Sequence, residues 1–293
     1  MFTLKNMALI TSAIFTLGLA SQTQASPLKL DVYNPGTAGI FPVSSVLVTG
    51  KKEAILIDAQ FGKSQAEKVV EKIKASGKTL TVIYISHGDP DYYFGLDTIK
   101  AAFPNVKILA TPQTVAHIKE TVESKKAYWN PILAADAPAQ TITPDTLTGD
   151  SLFLEGKQLK IIDLKGNQPD RSVVWIPSIK AIVGGVVIDG NNMHIWMADT
   201  QTPKSHTDWL TTLHTIEKLK PRIVIPGHFL PNAALNLDSV KYTENYIDTF
   251  DAETAKAKNS TALTNAMKAA YPAAGETSSL ELSAKVAKGE MKW

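Results

Sequence analysis

A chain of 293 residues, 44% hydrophobic and 20% charged, has the composition of one large globular domain or two small ones, which excludes a disordered or fibrous protein. The formal net charge of +2, with no basic run longer than two residues, removes the electrostatic case for nucleic acid as a partner. No cysteine is present, so disulfides, thiolate ligands and a catalytic thiol are excluded, and any metal must be held through nitrogen and oxygen.

Met1 to Ala25 reads as a secretory signal: Lys5 supplies the positive start, Met7 to Ala20 the apolar stretch, and Thr23-Gln24-Ala25 a small-x-small cleavage site. The alternative, a membrane anchor, is disfavoured because the apolar run is short and polar Ser21-Gln22-Thr23-Gln24 follows at once. Cleavage would leave residues 26–293 as a periplasmic or secreted domain that meets a small-molecule substrate and has no further membrane contact.

In the mature region Leu28 to Tyr33 alternates like a strand, and Ser44 to Thr49 and Glu53 to Asp58 form a hairpin across Gly50-Lys51-Lys52. Lys63 to Ser76 carries a helical apolar stripe (Ala66, Val69, Val70, Ile73) closed by Gly77. Thr81 to Ile85 is a buried strand, Gly95 to Ala102 a helix, Val106 to Ala110 a strand, and Thr111-Pro112 opens a helix through about Tyr128. This β-α-β-α-β order implies a mixed or parallel sheet with helices packed on it. Asn130 to Thr148 is proline-rich and is expected to be irregular, a boundary or an active-site flap. Short strands then recur at Ser151 to Leu154, Leu159 to Leu164, Ser172 to Ile176 and Ala181 to Val183, spaced for antiparallel pairing. Thr207 to Lys220 is an amphipathic helix, Arg222 to Ile225 a strand, and the tail from Asp238 is mostly helix with no identifiable chemistry.

The ligand-type residues concentrate just after the strand ending at Ile85, in His87-Gly88-Asp89-Pro90-Asp91-Tyr92, where Gly and Pro force a tight loop. The second half echoes this: helix, apolar strand, then Pro226-Gly227-His228. Two halves packed face to face would bring His87 and His228 to one edge.

With these residues in view, the chain resembles the metallo-β-lactamase-fold hydrolase superfamily, whose signature is H-x-H-x-D-H, then Gly-His, Gly-Asp and a final Gly-His. The resemblance implies an α/β four-layer αββα sandwich with its site at the sheet edge, over nearly the whole mature chain. His87, Asp91 and His228 match kept positions of that signature. Asp89 and Tyr92 stand where the second and third histidines belong, Asn167 where the fourth does, and Gly185 where the metal-bridging aspartate does. Asp89 remains an oxygen ligand, similar to the iron-binding flavodiiron branch, but loss of the bridge argues against two metals sharing a water. The resemblance therefore implies one divalent metal, zinc first with manganese or iron as alternatives, held by His87, Asp89, Asp91 and His228.

On this reading the protein is an exported metal-dependent hydrolase in which Asp91 orients or deprotonates a metal-bound water that attacks an ester, lactone or amide, and Tyr92 or Asn167 steadies the oxyanion. The alternative is a small-ligand-binding protein on the same fold that has lost its metal. Asp58 is expected to support the site from behind. His117, His206 and His214 are read as surface or capping histidines, and Trp129, Trp175 and Trp196 as core or pocket aromatics. Asp170 and Arg171 are left between substrate contact and turn. Specificity is expected from Asn130 to Thr148 and from Ile188 to Pro203.

Overall fold

The computed structural model describes residues 27–162, 168 and 170–293. The leader segment and Asn167 lie outside the described residues. One sheet is built in chain order from β1 (Lys29–Tyr33), β2 (Ser45–Thr49), β3 (Glu53–Ile57), β4 (Thr79–Ile85), β5 (Lys107–Ala110) and β6 (Asp145–Thr146). Pairing is antiparallel from β1 to β3 and parallel from β3 to β6. The parallel part arises because α1 (Lys63–Ser76) and the short α2 (Pro90–Tyr93) and α3 (Leu96–Ala102) carry the chain back between strands, as βαβ crossovers must.

The other sheet has the spatial order β11-β10-β9-β8-β7, where β7 is Ser151–Leu154, β8 Lys157–Ile162, β9 Val173–Ile176, β10 Ala181–Val183 and β11 Ile223–Ile225. Its strands are antiparallel except β10 and β11, which are parallel because α5 (Pro203–Lys218) lies between them in the chain.

Side chains that alternate along each strand divide between two layers. Val46, Val48, Ile55 and Ile57 point inward and meet Leu152, Leu154, Leu159, Ile161, Val174 and Ile176 of the facing sheet. Leu47, Leu56 and Ile83 point outward under α1, α3 and α4 (Pro112–Leu133). On the far side Val173, Ile182 and Val224 lie under α5 and α6 (Leu237–Lys256), against Trp209, Leu213, Ile216, Ile247 and Phe250. The last two helices, α7 (Ser260–Ala270) and α8 (Thr277–Ala287), complete this outer layer through Leu263, Met267, Leu280 and Ala284. The architecture is therefore the four-layer αββα sandwich, each such aliphatic side chain contributing about 1.5–3 kcal/mol by leaving water.

One boundary moves. α4 runs through Pro131 to Leu133 instead of ending near Tyr128, so the irregular segment starts later. A proline in the last turn removes a single helical bond, and Leu133 in the core with Trp129 packed on Phe41 and Phe61 more than offsets it.

Candidate active site

The loop after β4 is fastened from below by Asp58, the residue that follows β3. Its buried carboxylate accepts the Ser86 N–H at 2.8 Å and the Ser86 hydroxyl at 2.7 Å, as well as the Gly185 N–H. Burial pushes its pKa from 3.8 up to about 7 against these hydrogen bonds. Asp58 thus joins the ends of β3, β4 and β10 beneath the loop. Gly88 then lets the loop pass the α4 helix, since a Cβ there would lie 2.5 Å from the His117 ring.

The four side chains expected to share one ion form two separate pairs. In the first, His87 Nε2 meets Asp89 Oδ2 at 3.0 Å, and the other Asp89 oxygen accepts from Lys125 Nζ at 3.0 Å. His87 Nδ1 lies 3.2 Å from the Asp170 carbonyl, which can only accept. Both partners of the His87 ring are acceptors, which favours a proton on each ring nitrogen. Burial opposes that charge, but the Asp89 carboxylate overcomes it and raises the pKa. Burial opposes the Asp89 charge too, yet His87 and Lys125 hold its carboxyl well below its ordinary value.

In the second pair, His228 Nε2 donates to Asp91 Oδ2 at 2.7 Å, while Nδ1 lies 3.2 Å from the Tyr92 hydroxyl and 3.9 Å from Asp189 Oδ1. Burial alone would lower the His228 pKa, and the hydrogen bond and charge of Asp91 raise it. Tyr92, fully buried, stands between the pairs, its ring edge-on to His87 at 5.4 Å and to His228 at 5.5 Å. Burial, reinforced by Asp91 and Asp58, keeps its phenol protonated. The strand ends of both halves do meet at one edge, through the Ser44 N–H on the Gly227 carbonyl at 2.7 Å.

This donor set does not fit a single ion shared by His87, Asp89, Asp91 and His228. The Tyr92 ring stands edge-on to both imidazoles, both His87 ring nitrogens already have partners, and among the described residues no three His, Asp or Glu side chains are grouped to hold a metal. Nor does the position expected for a bridging aspartate have room for one. Gly185 has φ +84°, and a Cβ there would lie 2.2 Å from the Ser172 carbonyl oxygen.

Above the second pair opens a cleft of about 660 Å³, counting the solvent at its mouth. Asp89, Asp91, Tyr92, Lys125 and His228 form its polar wall, and Phe41, Phe61, Trp129, Trp196 and Trp293 its aromatic one. Trp129 packs edge-on to Phe41 and Phe61 at 5.3 and 5.2 Å, and Trp196 to Trp293 at 5.0 Å.

Several participants differ from the sequence expectation. His117 is no surface histidine: it stacks on His87 with centroids 6.3 Å apart, and its Nε2 lies 4.0 Å from Asp89. Burial and the His87 charge lower its pKa. The tail, read as without chemistry, brings Glu276, Ser279 and Trp293 into the cleft. Asp189, Met193, Trp196 and Asp199 arrive from the predicted specificity segment. Trp175 packs with the outer core under α5 and His214 sits 3.7 Å from Glu244, while Arg171, 5.7 Å over Trp209, does not line the cleft but its charge reaches Asp189 and His87. His206 is buried between Asp251 and the Thr200 carbonyl. Lys125 went unseen because a lysine on an amphipathic helix reads as solvent-facing. Asp189 did carry a signal, an acid ending the apolar run Val186-Val187-Ile188.

Residues 38–228 match the family model described as Metallo-beta-lactamase superfamily. A type 2 metallo-beta-lactamase of Elizabethkingia meningoseptica is 23% identical over 203 residues, 67% of this chain and 72% of the relative. Among solved structures, the DIM-1 metallo-beta-lactamase superposes with TM-score 0.57 at 17% identity, covering 77% of this chain and 99% of the enzyme. A metallo-beta-lactamase from Pontibacter korlensis gives 0.55 at 19% identity, over 78% and 97%. At these identities the structural likeness speaks for the fold alone.

Proposed function

Since the chain belongs to the metallo-beta-lactamase superfamily, a metallo-hydrolase family, we propose that it is an exported hydrolase cleaving an ester, lactone or amide bond of a small molecule bound in the aromatic cleft. The observation that carries this reading is the His228–Asp91 contact of 2.7 Å in the wall of that cleft. A carboxylate held by an imidazole N–H is an acid–base pair, and here it faces a space large enough for substrate and water. Asp91 orients the water and takes its proton as the oxygen attacks the carbonyl carbon. That proton sits on the Asp91 oxygen that His228 does not engage and passes from there to the departing alcohol or amine, while the His228 Nε2–H on the other oxygen holds the carboxyl in place. Lys125, the ammonium in the cleft wall, faces the developing oxyanion. The Tyr92 hydroxyl is engaged by His228 Nδ1, so the phenol acts through His228 and not at the substrate.

No step is routed through the divalent ion implied by family resemblance, because the side chains that would hold it are divided between two pairs. The test is a panel of esters, lactones and β-lactams, assayed with elemental analysis of protein purified without chelator. Chelator-insensitive turnover, reduced at least about a hundredfold in Asp91→Asn and His228→Ala, is expected. Stoichiometric zinc, manganese or iron that disappears in His87→Ala would show that both pairs open around one ion, and would overturn this account. Absence of turnover across the panel, with and without added metal, would favour the ligand-binding alternative, which the double engagement of His87 motivates.

A further inference from the structure

The cleft has more carboxylates than cations. Asp89, Asp91, Asp189, Asp199 and Glu276 line it, against Lys125 and His228. Each of the two already pairs with a carboxylate, Lys125 with Asp89 at 3.0 Å and His228 with Asp91 at 2.7 Å, so acidic groups remain in excess. Asp189 is the telling member. It is only 3% exposed, its Oδ1 is 3.9 Å from His228, and its Oδ2 is buried without a hydrogen-bond partner among the described residues. A buried carboxylate oxygen without a donor, on a residue that lines the cleft, is a place for an N–H or a positive charge. Trp196 and Trp293 line the same cleft, with Asp199 accepting the Trp293 indole N–H at 2.7 Å. Indole faces attract cations, and more strongly once water is excluded. Burial raises the Asp189 pKa to about 7, so a cation placed beside it would hold the carboxylate ionised, whereas an anion would also face Asp199 and Glu276.

We infer that the cleft selects a substrate bearing an organic ammonium group, held by Asp189, Asp199 and Glu276 against Trp196 and Trp293. The word substrate rests on the hydrolase reading; the cation selectivity does not.

The test uses the full-length protein and isosteric pairs. Binding is followed by calorimetry and tryptophan fluorescence with hexylammonium against 1-hexanol, and turnover with methyl 6-aminohexanoate against methyl heptanoate. Hexylammonium is expected to bind about tenfold or more tightly than hexanol at low salt. The preference should vanish in Asp189→Asn and shrink in Glu276→Gln, the second variant serving if the first fails to fold. Equal or tighter binding of hexanol to the wild type would overturn the inference, as would a preference unchanged in both variants. Ammonium-selective binding without hydrolysis of either ester would support the selectivity and remove the hydrolase reading. Hydrolysis of methyl heptanoate as fast as the amino ester would do the reverse.

Discussion

Asp58 offers a quantitative handle on how the loop is held. The perturbation is Asp58→Asn, which keeps an acceptor for the Ser86 N–H, lets the Ser86 hydroxyl turn to accept, and cannot ionise. In the wild type, burial raises the Asp58 pKa from 3.8 to about 7. The folded state then binds the proton more tightly than the unfolded chain, so its stabilisation is fully present below pH 3.8 and lost as pH rises through 7. At about 1.4 kcal/mol per pH unit, the cost relative to low pH is about 2 kcal/mol at pH 5, where the folded carboxyl still holds its proton, and about 4 kcal/mol at pH 8, where it is ionised. Wild-type stability should therefore fall by about 2–3 kcal/mol between those pH values on account of this residue. His87 and His228, both raised, act in the same direction. Urea unfolding at pH 5, 6.5 and 8 reads the effect: the Asp58→Asn curve should be flatter by about that amount. Asp58→Ala, which leaves three buried N–H and O–H donors without a partner, should instead lose about 3 kcal/mol or more at pH 5. Parallel pH dependences in wild type and Asp58→Asn would refute the burial argument.

Gly185→Asp restores the family's bridging residue in sequence only; with φ +84° and the Ser172 carbonyl in the way, it should lower Tm and bind no stoichiometric zinc, and a stable, metal-loaded variant would contradict that. Glu155, whose carboxylate accepts the N–H groups of Lys51, Lys52 and Glu53, has its pKa lowered to about 2 by those bonds. Its stabilisation is present above its ordinary 4.5 and lost as pH falls through about 2, so Glu155→Gln should reduce Tm at pH 7 and converge with wild type near pH 2 in thermal scans. Lys125→Met should free one Asp89 oxygen and raise the Asp89 pKa, visible as a carboxyl titration by NMR, while an unmoved titration would mean that the 3.0 Å contact does not form in solution. Trp209→Phe loses the indole N–H that donates to the Val187 carbonyl at 2.7 Å and should cost about 1–3 kcal/mol in denaturant unfolding.

The sequence by itself determined the fold and the neighbourhood of the site. Apolar pattern located β3, α1, β4 and α5 to within a few residues, because a strand buried on both faces shows as the short run Ala54 to Ile57 and the stripe Ala66, Val69, Val70, Ile73 is imposed by the face that must leave water. Glycine and proline placed the loop from His87 to Tyr92 at a strand end, and the repeat of that pattern before His228 brought the second strand end to it. What the sequence could not show is which polar group takes which partner. Asp89 reads as a metal ligand until Lys125, 36 positions later, is seen to occupy one of its oxygens. Tyr92 reads as a failed histidine until its ring is found between the two imidazoles, and the tail reads as inert until Trp293 closes over Trp196. Apolar pattern is a local property fixed by burial of one face. Pairing of charges in a low-dielectric cleft depends on distances between segments far apart in the chain, so only the tertiary structure decided it.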